Sequence, residues 1–144
     1  MREYNGKKYI EETPHDIAEL LEVVRILRSP DGCEWDRAQT FDTMIKCVTD
    51  ETEEVVAARK NKDYDNLCDE LGDLLLQVIM NAQIASEQEL FTFEDVVQIL
   101  TEKLIRRHPH VFGDVKKPTT PEDSIALWRS VKEKEKAIKI KKKN

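Results

Sequence analysis

Two pairs of carboxylates at helical spacing lie in the middle of the chain. Glu51 and Glu54 are three residues apart, as are Glu70 and Asp73, so each pair shares one face of a helix. The two helices are separated only by the polar stretch 60–63, which favours an antiparallel hairpin. Each carboxylate on one helix has a counterpart on the other that is equally far from residue 62, which lies inside that stretch. The four side chains are therefore predicted to meet at one level of the hairpin.

The surroundings of Asp73 predict that these acids point toward the protein interior. Around it the second helix of the hairpin is apolar on nearly every side, at Leu71, Leu74, Leu75, Leu76, Val78, Ile79 and Met80. Four acids crowded in a low dielectric would repel one another unless a cation compensates them, and carboxylate oxygens suit Mg²⁺ or Mn²⁺. A solvated acidic face is the competing interpretation. A di-iron site is disfavoured, because its Glu-x-x-His motif occurs only at Glu12 to His15, across a helix cap.

The basic residues of a later helix are placed to bind phosphate. A metal site without an adjacent nucleophile indicates hydrolysis by activated water, and phosphoanhydrides are the substrates that Mg²⁺ sites handle best. Lys103 and Arg107 share a helix face at i and i+4, with Arg106 beside them, so they are candidates to clamp phosphate oxygens. The competing interpretation is that they only complement the negative end of the helix dipole.

Three further side chains are candidate substrate contacts. Trp128 and Lys132 lie at i and i+4 on one face of the last helix, and Trp35 stands in a polar loop. Both tryptophans have a plain structural alternative, since a tryptophan at helical spacing is more often packed in a core than stacked on a base.

The elements that must position these residues are all helical. The chain has 144 residues with 36% charged and 6% aromatic side chains and four glycines, which favours one all-α domain, a bundle of about five helices around the central hairpin. Thr13 and Thr120, each followed by proline and, two residues later, by aspartate, predict two helix starts. The first helix is predicted to begin after Thr13 and to end near 29–32, and a loop is predicted at 33–36. The other four helices are predicted to span about 40–59, 64–86, 92–107 and 121–136. The domain is predicted to cover 1–136, followed by a basic tail, 137–144, that frays.

The distribution of charge excludes several classes of protein. The net charge is −6, yet seven lysines and two glutamates give residues 132–144 a charge of +5. An acidic body with a basic tail is a poor footprint for a nucleic-acid polymer, so none is expected as a partner. No stretch resembles a membrane span or a signal peptide, which predicts a cytoplasmic protein without a membrane partner. Three cysteines without a CxxC pair indicate reduced packing residues.

Four segments together resemble the MazG-type nucleoside triphosphate pyrophosphohydrolases. They are CEWDRAQT at 33–40, the acidic cluster DETEE at 50–54, DELGDLLLQ at 69–77 and KLIRRHPHVFG at 103–113. The similarity extends through Trp128 to about Glu135. One departure is Asp50, which stands where the family usually has the first glutamate of its E-E-x-x-E pattern.

The resemblance implies the all-α NTP pyrophosphatase fold, a homodimer or higher oligomer, and Mg²⁺-dependent cleavage of a nucleoside triphosphate to a monophosphate and pyrophosphate. The family's metal ligands fall on Glu51, Glu54, Glu70 and Asp73, and its phosphate contacts on Lys103 and Arg107. Our mechanistic hypothesis adds Glu54 as the carboxylate that orients or deprotonates the attacking water. Two alternatives stay open: a narrow dUTP or dCTP pyrophosphatase, and a non-catalytic helical interaction module.

Overall fold

Helices make up all the regular structure that the computed structural model describes, which is residues 14–143, with side chains described to residue 142. They are α1 (Ile17–Leu27), α2 (Glu34–Ala38), α3 (Phe41–Lys60), α4 (Tyr64–Glu87), α5 (Phe93–Arg107), α6 (Pro109–Phe112) and α7 (Pro121–Lys143). The predicted all-α class is confirmed, and the two short helices α2 and α6 are additions to the five predicted. In the described range, no helix combines the length and the apolar character needed to cross a bilayer.

The chain divides between Phe93 and Glu94 into two compact units. In the first, α3 and α4 pack along each other as the predicted antiparallel hairpin, and α1 packs on α4. The second contains most of α5 together with α6 and α7. The interpretation of residues 1–136 as one domain stays a prediction.

The turn of the hairpin lies where the carboxylate spacing requires it. Lys62 adopts a left-handed backbone conformation with φ of 55°. The Asp63 N–H donates to the Ala58 carbonyl at 3.1 Å, and the Asp63 side chain accepts from the Asn66 N–H at 3.2 Å, which caps α4. These contacts fix the register of α3 against α4, and the register sets which carboxylates face each other.

The helix caps agree with the sequence at two positions and differ at a third. Thr120 accepts from the Asp123 N–H at 3.1 Å and so caps α7 as predicted, and Thr40, near the predicted start of α3, accepts from the Thr43 N–H at 3.3 Å and caps that helix. The prediction that α1 starts after Thr13 is wrong. Asp16 is the cap, because its carboxylate accepts from the Glu19 N–H at 2.9 Å and leaves the two residues before it non-helical. Thr13 itself lies outside the described residues.

The core of the first unit surrounds the second half of α4. Its buried side chains are Val24, Met44, Ile79, Met80 and Ile84. The buried section of α4 begins at Gln77, whereas Leu71, Leu75 and Val78 are 50%, 38% and 43% exposed. The prediction that α4 is enclosed on nearly every side around Asp73 is therefore wrong. Neither α1 nor α3 covers the side of α4 that carries these three residues.

Segment 33–36 forms the start of a helix instead of the predicted loop. Arg28, whose side chain is only 7% exposed, holds this helix, α2, by donating from Nη1 to the Asp36 carbonyl at 2.5 Å and to the Gln39 carbonyl at 3.1 Å. Its Nε and Nη2 donate to Glu87 near the end of α4, at 2.8 and 2.7 Å. A single buried guanidinium thus joins α1, α2 and α4, a contact between distant residues that local periodicity does not indicate.

The last helix is longer than predicted. It continues through the basic segment to Lys143 instead of ending near Lys136. The side chains of 137–142 are exposed, and the fraying of this segment stays a prediction.

Candidate metal centre and basic cluster

The α3–α4 hairpin brings three of the four predicted carboxylates together. Glu51 from α3 and both Glu70 and Asp73 from α4 each offer an oxygen, and these oxygens lie within 4.8 Å of one another. The spacing of three residues on α4 aligns Glu70 with Asp73, and the turn at Lys62 brings Glu51 to their level. Such a set of hard oxygen donors is suited to a divalent cation such as Mg²⁺ or Mn²⁺.

Glu54 lies at the margin of this group. It is exposed and does not belong to the set of three clustered oxygens. Its charge nevertheless reaches the cluster, because after burial it is the next cause of the raised pKa of Glu70, and it also contributes to the raised pKa of Glu51. The predicted set of four is thus a close group of three with Glu54 beside it.

The electrostatics of the cluster favour a bound proton or cation. The pKa of Glu51 is raised above its ordinary value of 4.5 by burial first, and then by the charges of Asp73, Glu70, Glu54 and Asp50. Burial, followed by Glu54 and Asp73, also raises the pKa of Glu70. Because like charges oppose each other's ionisation, a cation among these oxygens would remove the repulsion that shifts both groups.

The cluster lies nearer the surface than the sequence indicated. Glu51 and Glu70 are half-buried, while Asp73 and Glu54 are exposed. The prediction that the carboxylates point into the interior of a bundle is therefore wrong for a single copy of this chain. The reason is that the core begins one turn further along α4, at Gln77.

The raised pKa values predict an unusual response of the metal-free protein to pH. An acid whose pKa is raised by folding binds more protons in the folded state, so folding is favoured as the pH falls from above the folded pKa toward the unfolded value of 4.5. We expect the melting temperature of the metal-free protein to rise between about pH 7 and about pH 5, and Mg²⁺ to reduce this rise. Scanning calorimetry with and without Mg²⁺ measures both effects.

The matched variants locate this response in the cluster. The double variant Glu51→Gln and Glu70→Gln should lose the gain on acidification, whereas the exposed Glu53→Gln should keep it. Glu87 and Glu135 have lowered pKa values, so the stability that they contribute is lost only at lower pH, down to about 2 for Glu135. The prediction would be contradicted if the melting temperature of the metal-free protein fell steadily as the pH is lowered from about 7 to about 5.

Asp50, the residue that departs from the family pattern, is engaged in a local ion pair. Its carboxylate accepts from the Lys46 ammonium one helical turn earlier on α3. Both side chains are well exposed. Asp50 is therefore separate from the three clustered oxygens, although its charge contributes to the raised pKa of Glu51.

A basic cluster lies in the second unit, where α5 ends against α7. The Arg106 Nε donates to Glu135 Oε1 at 2.6 Å, and the Arg107 Nη2 donates to Glu135 Oε2 at 2.8 Å. The Arg107 guanidinium and the Lys132 ammonium each lie 5.0 Å from the centroid of the Trp128 ring, within the range of a cation–π contact. Four predicted substrate contacts are thus gathered in one place.

Two predicted substrate contacts stand outside these interactions. Lys103 is half-buried on α5, one turn before Arg107 on the same helix face. Trp35 lies on α2 with 59% of its surface exposed. Their roles in binding stay predictions.

Glu135 is the member of the basic cluster that sequence reasoning missed. Its side chain is 15% exposed, and the hydrogen bonds from Arg107 and Arg106 lower its pKa to about 2, so it is ionised at neutral pH. The available signal was its spacing, since Trp128, Lys132 and Glu135 follow one another at i, i+4 and i+7 on one helix face. Glu135 lies between Lys134 and Lys136 in a lysine-rich segment, so its charge is not evident from the composition of that segment.

Comparisons with known proteins are consistent with this geometry. The sequence model of the "MazG nucleotide pyrophosphohydrolase domain" family matches residues 39–112. The nucleoside triphosphate pyrophosphohydrolase/pyrophosphatase MazG of Thermotoga maritima is 48% identical over 121 residues, and the nucleoside triphosphate pyrophosphohydrolase of Escherichia coli K12 is 43% identical over 126 residues. The crystal structure of a MazG-related protein from Thermotoga maritima superposes with a TM-score of 0.67 at 29% identity, covering 81% of this chain and 99% of that one.

The two curated relatives are longer proteins. Their alignments cover 84% and 87% of this chain but only 46% and 48% of the relatives. The chain therefore spans about half the length of the curated relatives that it matches.

Proposed function

Since this chain belongs to the MazG nucleotide pyrophosphohydrolase family, we propose that it hydrolyses nucleoside triphosphates to a nucleoside monophosphate and pyrophosphate. The family resemblance of the four sequence segments is confirmed by the family model and by the relatives. The observation that carries the activity is the group of three carboxylate oxygens within 4.8 Å on the hairpin. A role in clearing unwanted nucleotides from the cell is part of this proposal.

We propose Mg²⁺ as the cofactor, with Mn²⁺ as a substitute. Glu51, Glu70 and Asp73 would hold it, with Glu54 as a fourth ligand at the margin of the group. A metal ion bound there would neutralise phosphate charge and lower the pKa of bound water. The donor set fits, because all its members are carboxylates and two of them have raised pKa values.

The remaining predicted residues act on the water and the substrate in this proposal. Glu54 is exposed beside the cluster, where it is free of the short contacts among the other three, and it orients or deprotonates the attacking water. Lys103 and Arg107 neutralise charge on the leaving phosphate. The further substrate contacts proposed are Arg106, Trp35, Trp128 and Lys132.

A panel of nucleotides tests the proposed reaction and its breadth. Each NTP and dNTP is incubated with Mg²⁺, and the products are separated so that monophosphate plus pyrophosphate is distinguished from diphosphate plus phosphate. We expect monophosphate and pyrophosphate from several triphosphates, and no turnover when EDTA removes the metal. Activity on dUTP or dCTP alone would establish the narrow alternative instead.

The same panel decides between an enzyme and an interaction module. A non-catalytic module predicts no pyrophosphate release with any triphosphate and no rise in melting temperature with Mg²⁺ plus nucleotide. Diphosphate and phosphate as products would contradict the proposed reaction while keeping a triphosphatase.

We propose that a second copy of this chain covers an apolar face of the hairpin. This α3–α4 apolar face consists of exposed residues of α3 and of α4: Ile45, Val48, Val56, Leu71, Leu75 and Val78. At a helical step of about 100° per residue, each set lies on one side of its helix, and the antiparallel pairing turns both sets to the same side of the hairpin. Apart from Arg59, which lies on the same side of α3 near the turn, the exposed residues named on this face are apolar, and pairing two such faces about a two-fold axis would bury them in a four-helix arrangement. The cytoplasmic location and the absence of a nucleic-acid polymer among the partners stay predictions.

A further inference from the structure

Glu135 lies between two arginines that come from another helix. Its Oε1 accepts from the Arg106 Nε at 2.6 Å, and its Oε2 accepts from the Arg107 Nε and Nη2 at 3.2 and 2.8 Å. The side chains of Arg107 and Glu135 are 14% and 15% exposed. A charged pair with so little exposure is held in one geometry more firmly than a surface ion pair.

The bonds to Glu135 use only one edge of each guanidinium. Among the described residues, the Nη1 groups of Arg106 and Arg107 have no hydrogen-bond acceptor, and neither does the Nη2 of Arg106. These N–H groups can therefore donate to phosphate oxygens while the edge toward Glu135 stays bonded. Triphosphate binding would not require the carboxylate to leave.

The Trp128 ring fixes the orientation of Arg107 from a second direction. The guanidinium carbon lies 5.0 Å from the ring centroid, and the Lys132 ammonium lies at the same distance from that ring. Arg107 is thus held by the Glu135 carboxylate along one edge of its guanidinium, while the guanidinium carbon lies over the Trp128 ring. Glu135 and Trp128 are both on α7, so this helix positions a cation that belongs to α5.

We propose that Glu135 is a positioning residue for the reaction: it holds Arg106 and Arg107 in the orientation in which their remaining N–H groups bind the phosphates of a nucleoside triphosphate. This inference rests on the proposed function, because it takes these arginines to be phosphate contacts. Adjacent guanidinium groups repel each other, and the shared carboxylate offsets that repulsion and restricts their rotamers before the substrate arrives.

A different role for Glu135 would have the opposite effect on binding. If the carboxylate only occupied the arginines in place of phosphate, its neutralisation would free them, and an anionic ligand would bind more tightly. If Glu135 positions them, its neutralisation weakens binding even though the site becomes more positive. The sign of the change therefore decides between the two roles.

The test compares Glu135→Gln with Glu133→Gln in the full chain. Glu133 lies on the same helix and is 70% exposed, with only a 3.5 Å contact to Lys136, so its substitution makes the same change in charge without touching the arginines. Calorimetric titration with inorganic tripolyphosphate should give a dissociation constant about 10-fold higher for Glu135→Gln than for the wild type. Glu133→Gln should stay within about two-fold of the wild type.

A double-mutant cycle shows whether Glu135 acts through Arg107. Arg107→Ala should itself weaken tripolyphosphate binding, and adding Glu135→Gln to it should weaken binding much less than Glu135→Gln does alone. With the best triphosphate of the panel, Glu135→Gln should raise KM more than it lowers kcat, because the metal cluster is unchanged. A merely structural role would predict additive losses and equal effects on both constants.

The outcomes separate this inference from the proposed function. Tighter tripolyphosphate binding by Glu135→Gln, equal behaviour of the two glutamate variants, additivity in the cycle, or a wild type that binds no tripolyphosphate would each overturn the positioning role. A wild type without pyrophosphohydrolase activity, in which Glu135→Gln still weakens tripolyphosphate binding through Arg107, would overturn the proposed function and leave the positioning of an anion site in place.

Discussion

Replacing Asp73 with alanine is expected to reduce turnover by at least about 100-fold, with the helical content unchanged. The carboxylate offers one of the three clustered oxygens, and losing it leaves Glu51 and Glu70 as an incomplete ligand set. Asp73 is exposed, so its truncation opens no cavity in the core. Steady-state kinetics with Mg²⁺ and a triphosphate, together with circular dichroism, measure the two parts of this result.

The stability of this variant gives a second, independent readout. Asp73 raises the pKa values of both Glu51 and Glu70, so its removal relieves repulsion in the metal-free protein. We expect a higher melting temperature without metal and a smaller gain on adding Mg²⁺. An inactive variant that is also less stable would indicate misfolding instead of a lost ligand.

Asp65→Asn is the matched control for this experiment. Asp65 is an exposed acid on the same helix, two turns before Asp73, and lies outside the cluster. Its variant should keep activity and the gain in stability from Mg²⁺. Full activity in Asp73→Ala, or equal losses in both variants, would remove the metal-site proposal.

Lysines on the α3–α4 apolar face are expected to separate the proposed dimer into monomers. Ile45 and Val78, on the two helices of the hairpin, are 64% and 43% exposed. Ile45 precedes Glu51 on α3 by more than one helical turn, and Val78 follows Asp73 on α4 by more than one turn, so neither belongs to the carboxylate cluster. The variant Ile45→Lys and Val78→Lys would place two lysines in the dimer interface without partners for their charges. Burying these charges would cost about 3 kcal/mol or more of the free energy of association, which is enough to dissociate a dimer with a micromolar dissociation constant. Analytical ultracentrifugation should show twice the chain mass of 16.8 kDa for the wild type and a single chain for the variant.

Ile140→Lys controls for the added charge. Ile140 is 62% exposed, like Ile45, but lies on α7 outside the apolar face. This variant should sediment as the wild type does. A wild type that sediments as a monomer at micromolar concentration would contradict the proposal, as would a dimer that survives both lysines on the face.

The candidate metal centre could be predicted from sequence because its determinants are local. Carboxylates three residues apart share a helix face whatever the rest of the chain does, and a short polar linker allows the two helices only an antiparallel arrangement. Glu51, Glu70 and Asp73 follow from these two facts and the position of the turn at Lys62. The helix bounds at Phe41–Lys60 and Tyr64–Glu87 lie within one or two residues of the prediction for the same reason.

What the sequence left open is burial and long-range pairing. The apolar character around Asp73 predicts an enclosed helix, but apolar periodicity does not state which element covers a face, and Leu71, Leu75 and Val78 are exposed in this chain. Arg28 reaches Glu87 across 59 residues of sequence to hold α2, and no local pattern indicates that pairing.

The helical class, the hairpin register and the three clustered carboxylates can be derived from local sequence, since each depends on contacts within a turn or across one short linker. The position of Glu135 between Arg106 and Arg107, and that of the carboxylates near the surface, depend on how the folded helices pack. The physical reason is that packing between distant helices fixes which charged groups meet and which faces remain uncovered, and the energy of those contacts is not encoded in the spacing of either helix alone.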